Sequence, residues 1–354
     1  MTALRSKFHK ILNIALQWGA AALGGALANM LNVPLAWTLG PLIVTAGLSI
    51  SGTMPYAPVE ARRLGQLIIG MAIGLNMTPD AAEKLLTWLP IMVLSALVSI
   101  FLAALFTNVV ARKSHIDSCS AYFALLPGGM TEMANVGQRL GARAEAISLA
   151  HALRVALTVL IVPWAVIMID GQTDFGFNVS RTNLSLPMLA FLTIAALSGA
   201  FALHKVRFTN PWMLGSLAAV GFLVGMGLVE GKLPVQLLWI GQFFIGMAVG
   251  ERFKRDILRR LPRLALISSI ALIAMSLIMA GFAAIIQRLG TSDLESLVLA
   301  VSPGGFAEMT LTAQMLHLDV ALVTGFHFAR AFAVNSLAAP LWHLLKRIGW
   351  FNHN

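Results

Sequence analysis

Pro127-Gly128-Gly129-Met130-Thr131-Glu132-Met133 interrupts an otherwise apolar stretch, and 176 positions later the chain reads Pro303-Gly304-Gly305-Phe306-Ala307-Glu308-Met309. A helix breaker, two glycines and a carboxylate are the residues least expected in a lipid-facing helix. Their recurrence at matching places argues for a duplication and a shared site. The match extends outward. Gly65-Gln66-Leu67-Ile68-Ile69-Gly70-Met71-Ala72-Ile73-Gly74 returns as Gly241-Gln242-Phe243-Phe244-Ile245-Gly246-Met247-Ala248-Val249-Gly250. Trp37-Thr38-Leu39-Gly40 corresponds to Trp212-Met213-Leu214-Gly215, and Gln138, His151 and Arg154 align with Gln314, His327 and Arg330. One unit occupies about residues 10–172 and the other about 183–348, joined by the polar stretch Asp170–Asn183.

Of the 354 residues, 58% are hydrophobic and only 11% charged, and the mean hydropathy is +0.81. That leaves too little polar surface for a water-soluble domain of this size. Apolar runs such as Ile11–Leu31, Leu85–Phe106, Ser185–Leu203 and Leu264–Ile286 have the roughly 18 or more residues needed to cross a ~30 Å hydrocarbon layer. The fold class expected is an all-α polytopic membrane protein. The net charge of +10 sits in short loops, the pattern of membrane orientation rather than of nucleic-acid binding. Cys119 is the only cysteine, which excludes an intrachain disulfide and a cysteine metal cluster. The basic start, Met1–Lys10, leads into an apolar run with no small-residue cleavage site and reads as an uncleaved first helix.

Loop charges set the sense of the repeat. Thr78–Lys84 after the first glycine-rich helix is weakly acidic, whereas Glu251–Arg263 after its counterpart carries six basic residues against two acidic ones. Before those helices the contrast reverses, with Arg62 and Arg63 against the uncharged Pro234–Trp239. The two helices then enter from opposite sides, so the units are expected to be inverted, which needs an odd number of crossings in each. Five are expected per unit, near 12–31, 36–51, 64–77, 86–107 and 146–169, and near 186–204, 211–228, 237–250, 263–287 and 320–344. The pieces Asp117–Arg143 and Ser292–Leu316, broken at Pro-Gly-Gly, have arms of about ten residues, or ~15 Å, too short to cross. Each is expected to be a re-entrant helical hairpin, the competing picture being one continuous broken helix. Both termini then fall in the cytoplasm.

The candidate binding residues are Gly128, Gly129 and Glu132 with Gly304, Gly305 and Glu308, together with His151, Arg154, His327 and Arg330. A tip between two arms leaves free carbonyls at one helix end and free N–H groups at the next, suited to a cation and an anion respectively. The glycines let a ligand approach the backbone, or else let two helices pack closely. Glu132 and Glu308 read either as proton carriers or as helix-start carboxylates bonding the tip N–H groups. Arg154 and Arg330 need partners at depth: these glutamates, the tip carbonyls, or an anionic substrate. The Gly70/Gly74 and Gly246/Gly250 spacings read as small-residue packing faces. Gln66, Gln242 and Asn76 are weaker candidates to face the hairpins, and Trp37 and Trp212 read as interface anchors. No metal site and no cofactor are expected, since each half offers one histidine here and no His-x-x-x-His pair.

With both doubled motifs quoted, the chain resembles the membrane AbrB family of Gram-negative bacteria over essentially its whole length. The resemblance implies a duplicated bacterial inner-membrane protein, placed by architecture near the cation/proton antiporters and anion transporters. Members carry the labels ammonia monooxygenase or transcriptional regulator, and the family shares its name with a small DNA-binding regulator that this sequence does not resemble. Three functions follow in order of preference. A secondary transporter, proton- or ion-coupled, of a small solute accounts for the repeats and the intramembrane Glu and Arg together, and the arginines tilt the solute toward an anion. A membrane sensor or regulator of gene expression would act through a partner. An ammonia oxygenase would need a metal cluster. The partners expected are membrane lipid and a small molecule or ion; a homodimer is compatible with the sequence.

Overall fold

The computed structural model describes residues 2–53, 55–170, 184–206, 208–289 and 292–351; residues 171–183, most of the joining stretch, lie outside them. The first half comprises α1 (Thr2–Met30), α2 (Ala36–Ser51), α3 (Val59–Gly74), α4 (Pro79–Ser114), α5 (Ser118–Leu125), α6 (Met130–Arg139) and α7 (Ala144–Asp170). The second comprises α8 (Leu186–Lys205), α9 (Pro211–Gly225), α10 (Val235–Gly250), α11 (Arg255–Arg260), α12 (Pro262–Gln287), α13 (Leu294–Val301), α14 (Phe306–Met315) and α15 (Val320–Arg347). The described residues form no strand.

Five helices, α4, α7, α8, α12 and α15, are long and apolar enough to cross a membrane. The five per half expected from sequence are therefore met only in part. α2, α3 and α10 have 16 residues and α9 has 15, about 24 Å at the helical rise, short of the hydrocarbon thickness. Two supposed loops are also helical. Thr78 caps α4, accepting from the Ala81 N–H, so Pro79–Lys84 is its first turn. Within Glu251–Arg263, Arg255–Arg260 forms α11 and Pro262 opens α12. Proline at a first helical position costs no hydrogen bond and presets the backbone, which is why both prolines start helices.

The helices pack in two groups. α1, α2 and α3 pack with α8, α9 and α10, and α4–α7 pack with α12–α15. Equivalent pairs recur: α1 on α2 and α8 on α9, α5 on α7 and α13 on α15, α6 on α7 and α14 on α15. In the first group the halves exchange partners, α3 lying on α9 and α10 on α2. Glycine permits that exchange. A Cβ on Gly70 would overlap Ser216 Oγ and the Met213 carbonyl, and one on Gly246 would overlap the Thr38 carbonyl. Small residues at such crossings let backbones touch where hydrocarbon supplies no hydrophobic drive.

Both broken pieces are hairpins. Asp117 caps α5 by accepting from the Ser120 N–H at 2.7 Å, and Ser120 Oγ accepts the Arg143 N–H, also at 2.7 Å, at the exit of the second arm. Asp293 accepts from the Ser296 N–H at 2.8 Å, and Ser296 Oγ accepts the Asp319 N–H at 3.0 Å. Cys119 Sγ bonds the Leu140 carbonyl at 3.6 Å, so the outer ends of α5 and α6 lie together. A continuous broken helix would hold those ends apart. Each hairpin is closed at its base by one serine and wedged between long helices.

Valine in place of Gly246 is expected to cost about 1–3 kcal/mol through overpacking at the α2–α10 crossing. Alanine at Gly47, which faces open space, is expected to leave stability unchanged or slightly raised. Thermal unfolding of the purified variants in one detergent compares the two, and equal midpoints would contradict the crossing.

Candidate functional site

The two elbows have matching geometry. In each, α5 or α13 ends, the chain turns through Pro-Gly-Gly, and α6 or α14 begins at a glycine N-cap. Gly129 and Gly305 have φ of −67° and −73°, conformations open to any residue. They are glycine for space: a Cβ on Gly129 would overlap the Glu132 carboxylate, and one on Gly305 that of Glu308. Each glutamate is folded back over the start of its own helix, and the Glu308 backbone N–H bonds its own carboxylate. A negative group there meets the unpaired N–H groups and the positive end of the helix dipole.

The opposite ends are answered by arginine. Arg154 on α7 donates from Nη1 to the Leu126 carbonyl and from Nη2 to the Gly128 carbonyl, both at 2.8 Å. Arg330 on α15 donates from Nη1 to the Ser302 carbonyl, and from Nη2 to that of Gly304 at 2.7 Å. The guanidinium fork spans carbonyls two residues apart, a geometry a lysine cannot copy. Of the three partners expected for these arginines, the tip carbonyls are those engaged. The only ion pair among the described residues joins Lys84 to Asp319, far from the elbows.

The histidines hold the same arms one turn earlier. His151 Nε2 lies 3.0 Å from the Phe123 carbonyl and His327 Nε2 lies 3.1 Å from that of Leu299. A carbonyl only accepts, so each ring carries its proton on Nε2. His327 Nδ1 then accepts from Arg330 Nη2 at 2.7 Å, whereas His151 Nδ1 has no hydrogen-bond partner. The halves thus differ in one bond.

All ten candidate residues line a single cavity of about 420 Å³ between the two helix groups. Its wall also includes Arg62, Arg63 and Gln66 of α3, Trp212 of α9, and Arg252 in the turn after α10. Arg63 Cζ stands 5.3 Å from the Trp212 ring centroid, a cation–π contact. Arg252 is within electrostatic reach of both Glu308 and Glu132. In sequence, Arg62, Arg63 and Arg252 read as orientation charges and Trp212 as an anchor, because basic and aromatic residues at helix ends ordinarily serve that way. Of the weaker candidates, Gln66 lines the cavity. Asn76 bonds its own Ala72 carbonyl at 2.8 Å, and Gln242 is buried away from the cavity with its Nε2 unpartnered. Among the described residues, no three His, Cys, Asp or Glu side chains stand close enough to hold a metal ion.

The cavity is lopsided. It uses the N-terminal end of α3 but the C-terminal end of α10, where Ile245, Ala248 and Val249 face it. The returning arms differ in the same sense. α6 exposes Thr131, Asn135 and Arg139, while their counterparts Ala307, Leu311 and Met315 on α14 are buried. Leu311 and Met315 pack in one cluster with Leu35, Leu39 and Ile73, so α14 has no open face like that of α6.

Comparison with known proteins gives three matches. The family described as Transition state regulatory protein AbrB matches residues 54–346. The uncharacterized protein YhjN of Bacillus subtilis (strain 168) is 28% identical over 354 residues, covering 93% of this chain and 92% of its own. A protein of Escherichia coli (strain K12) named as a regulator AbrB is 27% identical over 335 residues, covering 90% and 93%.

Replacing Arg330 by lysine or glutamine is expected to lower unfolding stability by about 2–3 kcal/mol, because buried carbonyls lose charge-assisted bonds. Glu308→Gln, which keeps a side chain of the same shape, is expected to cost less, and the reverse order in thermal unfolding would contradict the arginine clasp. In a Cys119→Ser background, Asn135→Cys is expected to react with a polar thiol reagent and Leu311→Cys to stay unmodified. Equal labelling of the two would remove the one-sided opening.

Proposed function

The chain belongs to the AbrB family, and from that premise we propose that it is a secondary membrane transporter, ion- or proton-coupled, of a small anionic solute. One observation carries the reading: a broken-helix elbow from each half, with its Glu, His and Arg, borders the same cavity. Discontinuous helices with dipole ends at a shared site are the hallmark of transporters built from repeats. The excess of arginine over glutamate on the wall favours a negative solute.

The lopsided wall supports inverted repeats. In parallel repeats, equivalent ends of α3 and α10 would lie on one side, whereas the cavity meets opposite ends of them. Inversion also supports a second state, in which α14 withdraws from Leu35, Leu39 and Ile73 and the open route closes. The group containing α4–α7 and α12–α15 would move against the group of short helices, exposing the elbows to each side in turn. With the basic loops inside, the protein sits in the bacterial inner membrane with both termini cytoplasmic.

The family description and the name of the Escherichia coli relative favour a second reading, a membrane sensor or regulator acting through a partner. It keeps the cavity but gives up turnover.

A screen of small solutes on proteoliposomes, with and without an imposed pH gradient, separates the two. Flux that depends on the gradient and is lost in Glu308→Gln, with membrane insertion intact, is expected. Saturable binding with no flux of any bound solute would favour the sensor, and full flux in Glu308→Gln would move the site elsewhere.

A further inference from the structure

The start of α6 and of α14 is a ready anion site, and in this state each is covered by the helix's own glutamate. The glycine N-caps leave room for that carboxylate, since a Cβ at either position would overlap it. A second group points to an outside anion. Arg154 and Arg330 are 4% and 6% exposed, and each Nε–H lacks a protein acceptor although both side chains line the cavity. The Nε–H of Arg62, on the same wall, is also without one. The wall carries five arginines, at 62, 63, 154, 252 and 330, against two glutamates. A wall of that balance is short of negative charge by three even with both glutamates ionised, and by five when they are neutral.

We propose that Glu132 and Glu308 are tethered competitors for a carboxylate- or sulfate-type anion, so that the anion and the proton bind together and cross in the same direction. An ionised glutamate and a ligand anion cannot share one helix start beside each other without strong repulsion. Protonation removes the charge of the glutamate, frees the N–H groups, and leaves the arginine side chains and both helix starts to the ligand. Proton loss on the far side restores the carboxylate and expels the anion. This inference rests on the transporter reading for direction, but its binding step stands alone.

The titratable and charged groups around the two glutamates are set by their neighbours. α7 brings His151 and Arg154, α15 brings His327 and Arg330, α3 brings Arg62 and Arg63, and the turn after α10 brings Glu251 and Arg252. His204, in the last turn of α8, also lines the wall. Among the arms themselves, α5 adds Cys119 and Tyr122, and α13 adds Glu295 in its first turn, at the end away from the elbow. Each histidine already donates from Nε2 to a carbonyl and would gain its next proton on Nδ1, which meets Arg330 in His327 and no partner in His151, so that proton uncovers no helix start. The glutamates alone do so.

The test is calorimetric titration of the full chain in phosphatidylcholine nanodiscs, which carry no anionic lipid headgroup to compete. Acetate, lactate, benzoate and sulfate serve as probes, because their own charge is constant between about pH 6 and about pH 8. At least one is expected to bind about tenfold or more tightly at the lower pH, the change one proton per unit of pH allows. Repeating the titration in two buffers of different ionisation enthalpy is expected to show about one or two protons taken up per anion near pH 8. In Glu132→Gln/Glu308→Gln, affinity at the higher pH is expected to rise to the level of the lower and proton uptake to vanish. Binding by none of the four probes at either pH, pH-independent binding with no proton uptake in the unmodified chain, or weaker binding in the Gln variant would each overturn the proposal. If the variant does not fold, the buffer pair decides on the unmodified protein. Anion binding of the expected kind without flux in proteoliposomes would leave the binding step standing and defeat the transporter reading; flux of a neutral or cationic solute with no anion binding would defeat this inference and keep transport, with another class of solute.

Discussion

An unwound backbone inside a membrane must find partners for its carbonyls and N–H groups, and the whole arrangement depends on how the two elbows meet that demand. Lipid offers none, and each unmet group costs several kcal/mol. Here the carbonyl side is clasped by an arginine from the following long helix. The N–H side is covered by a glutamate from the same arm. Positive charge thus sits at a helix C-terminus and negative charge at a helix N-terminus, both favourable with the dipoles. The serine ties at Ser120 and Ser296 fix the bases, so each hairpin is held at both ends and its elbow is presented to the cavity.

The halves share a plan but not a chemistry. Where the first returning arm has Thr131, Asn135 and Arg139, the second has Ala307, Leu311 and Met315. One arm therefore tolerates water along its length and the other prefers the apolar cluster with Leu35, Leu39 and Ile73. At the mouth, Arg63 over Trp212 corresponds to Trp239 stacked on Trp37 with ring centroids 5.6 Å apart. The pair that lines the cavity is charged and aromatic, whereas its equivalent is aromatic in both members. The two elbows are alike, and the surfaces around them are not.

Much of this was legible in the residues. The doubled Pro-Gly-Gly, the glutamate three residues on, and the His/Arg pair one helix later were visible because a repeat turns isolated polar residues into a pattern. The hairpin form followed from arm length. What escaped depends on contacts between elements. Nothing in the spacing chooses the Leu126 and Gly128 carbonyls over Glu132 as the partners of Arg154, because that choice is made by where the guanidinium fork reaches. The glycines read as places of close approach, which they are, but the approaching group is the chain's own carboxylate. Arg62, Arg63, Arg252 and Trp212 were hidden by an ordinary role at helix ends. Helix length departs from the charge pattern at Pro79–Lys84, which belongs to α4 because Thr78 and Pro79 form a strong helix start. The contrast between α6 and α14 was in the sequence all along, as polar against apolar residues at matched positions.

The central claim is that both elbows border one water-filled space. Thr131→Cys and Phe306→Cys, each in a Cys119→Ser background, sit on opposite halves and on the same cavity wall, and neither position is buried. Membrane-impermeant thiol reagent added to sealed vesicles of known orientation tests it most directly. The account expects both cysteines to be modified from the same side in the resting protein. Modification of the two from opposite sides only, or of neither except by a lipid-soluble reagent, would contradict it.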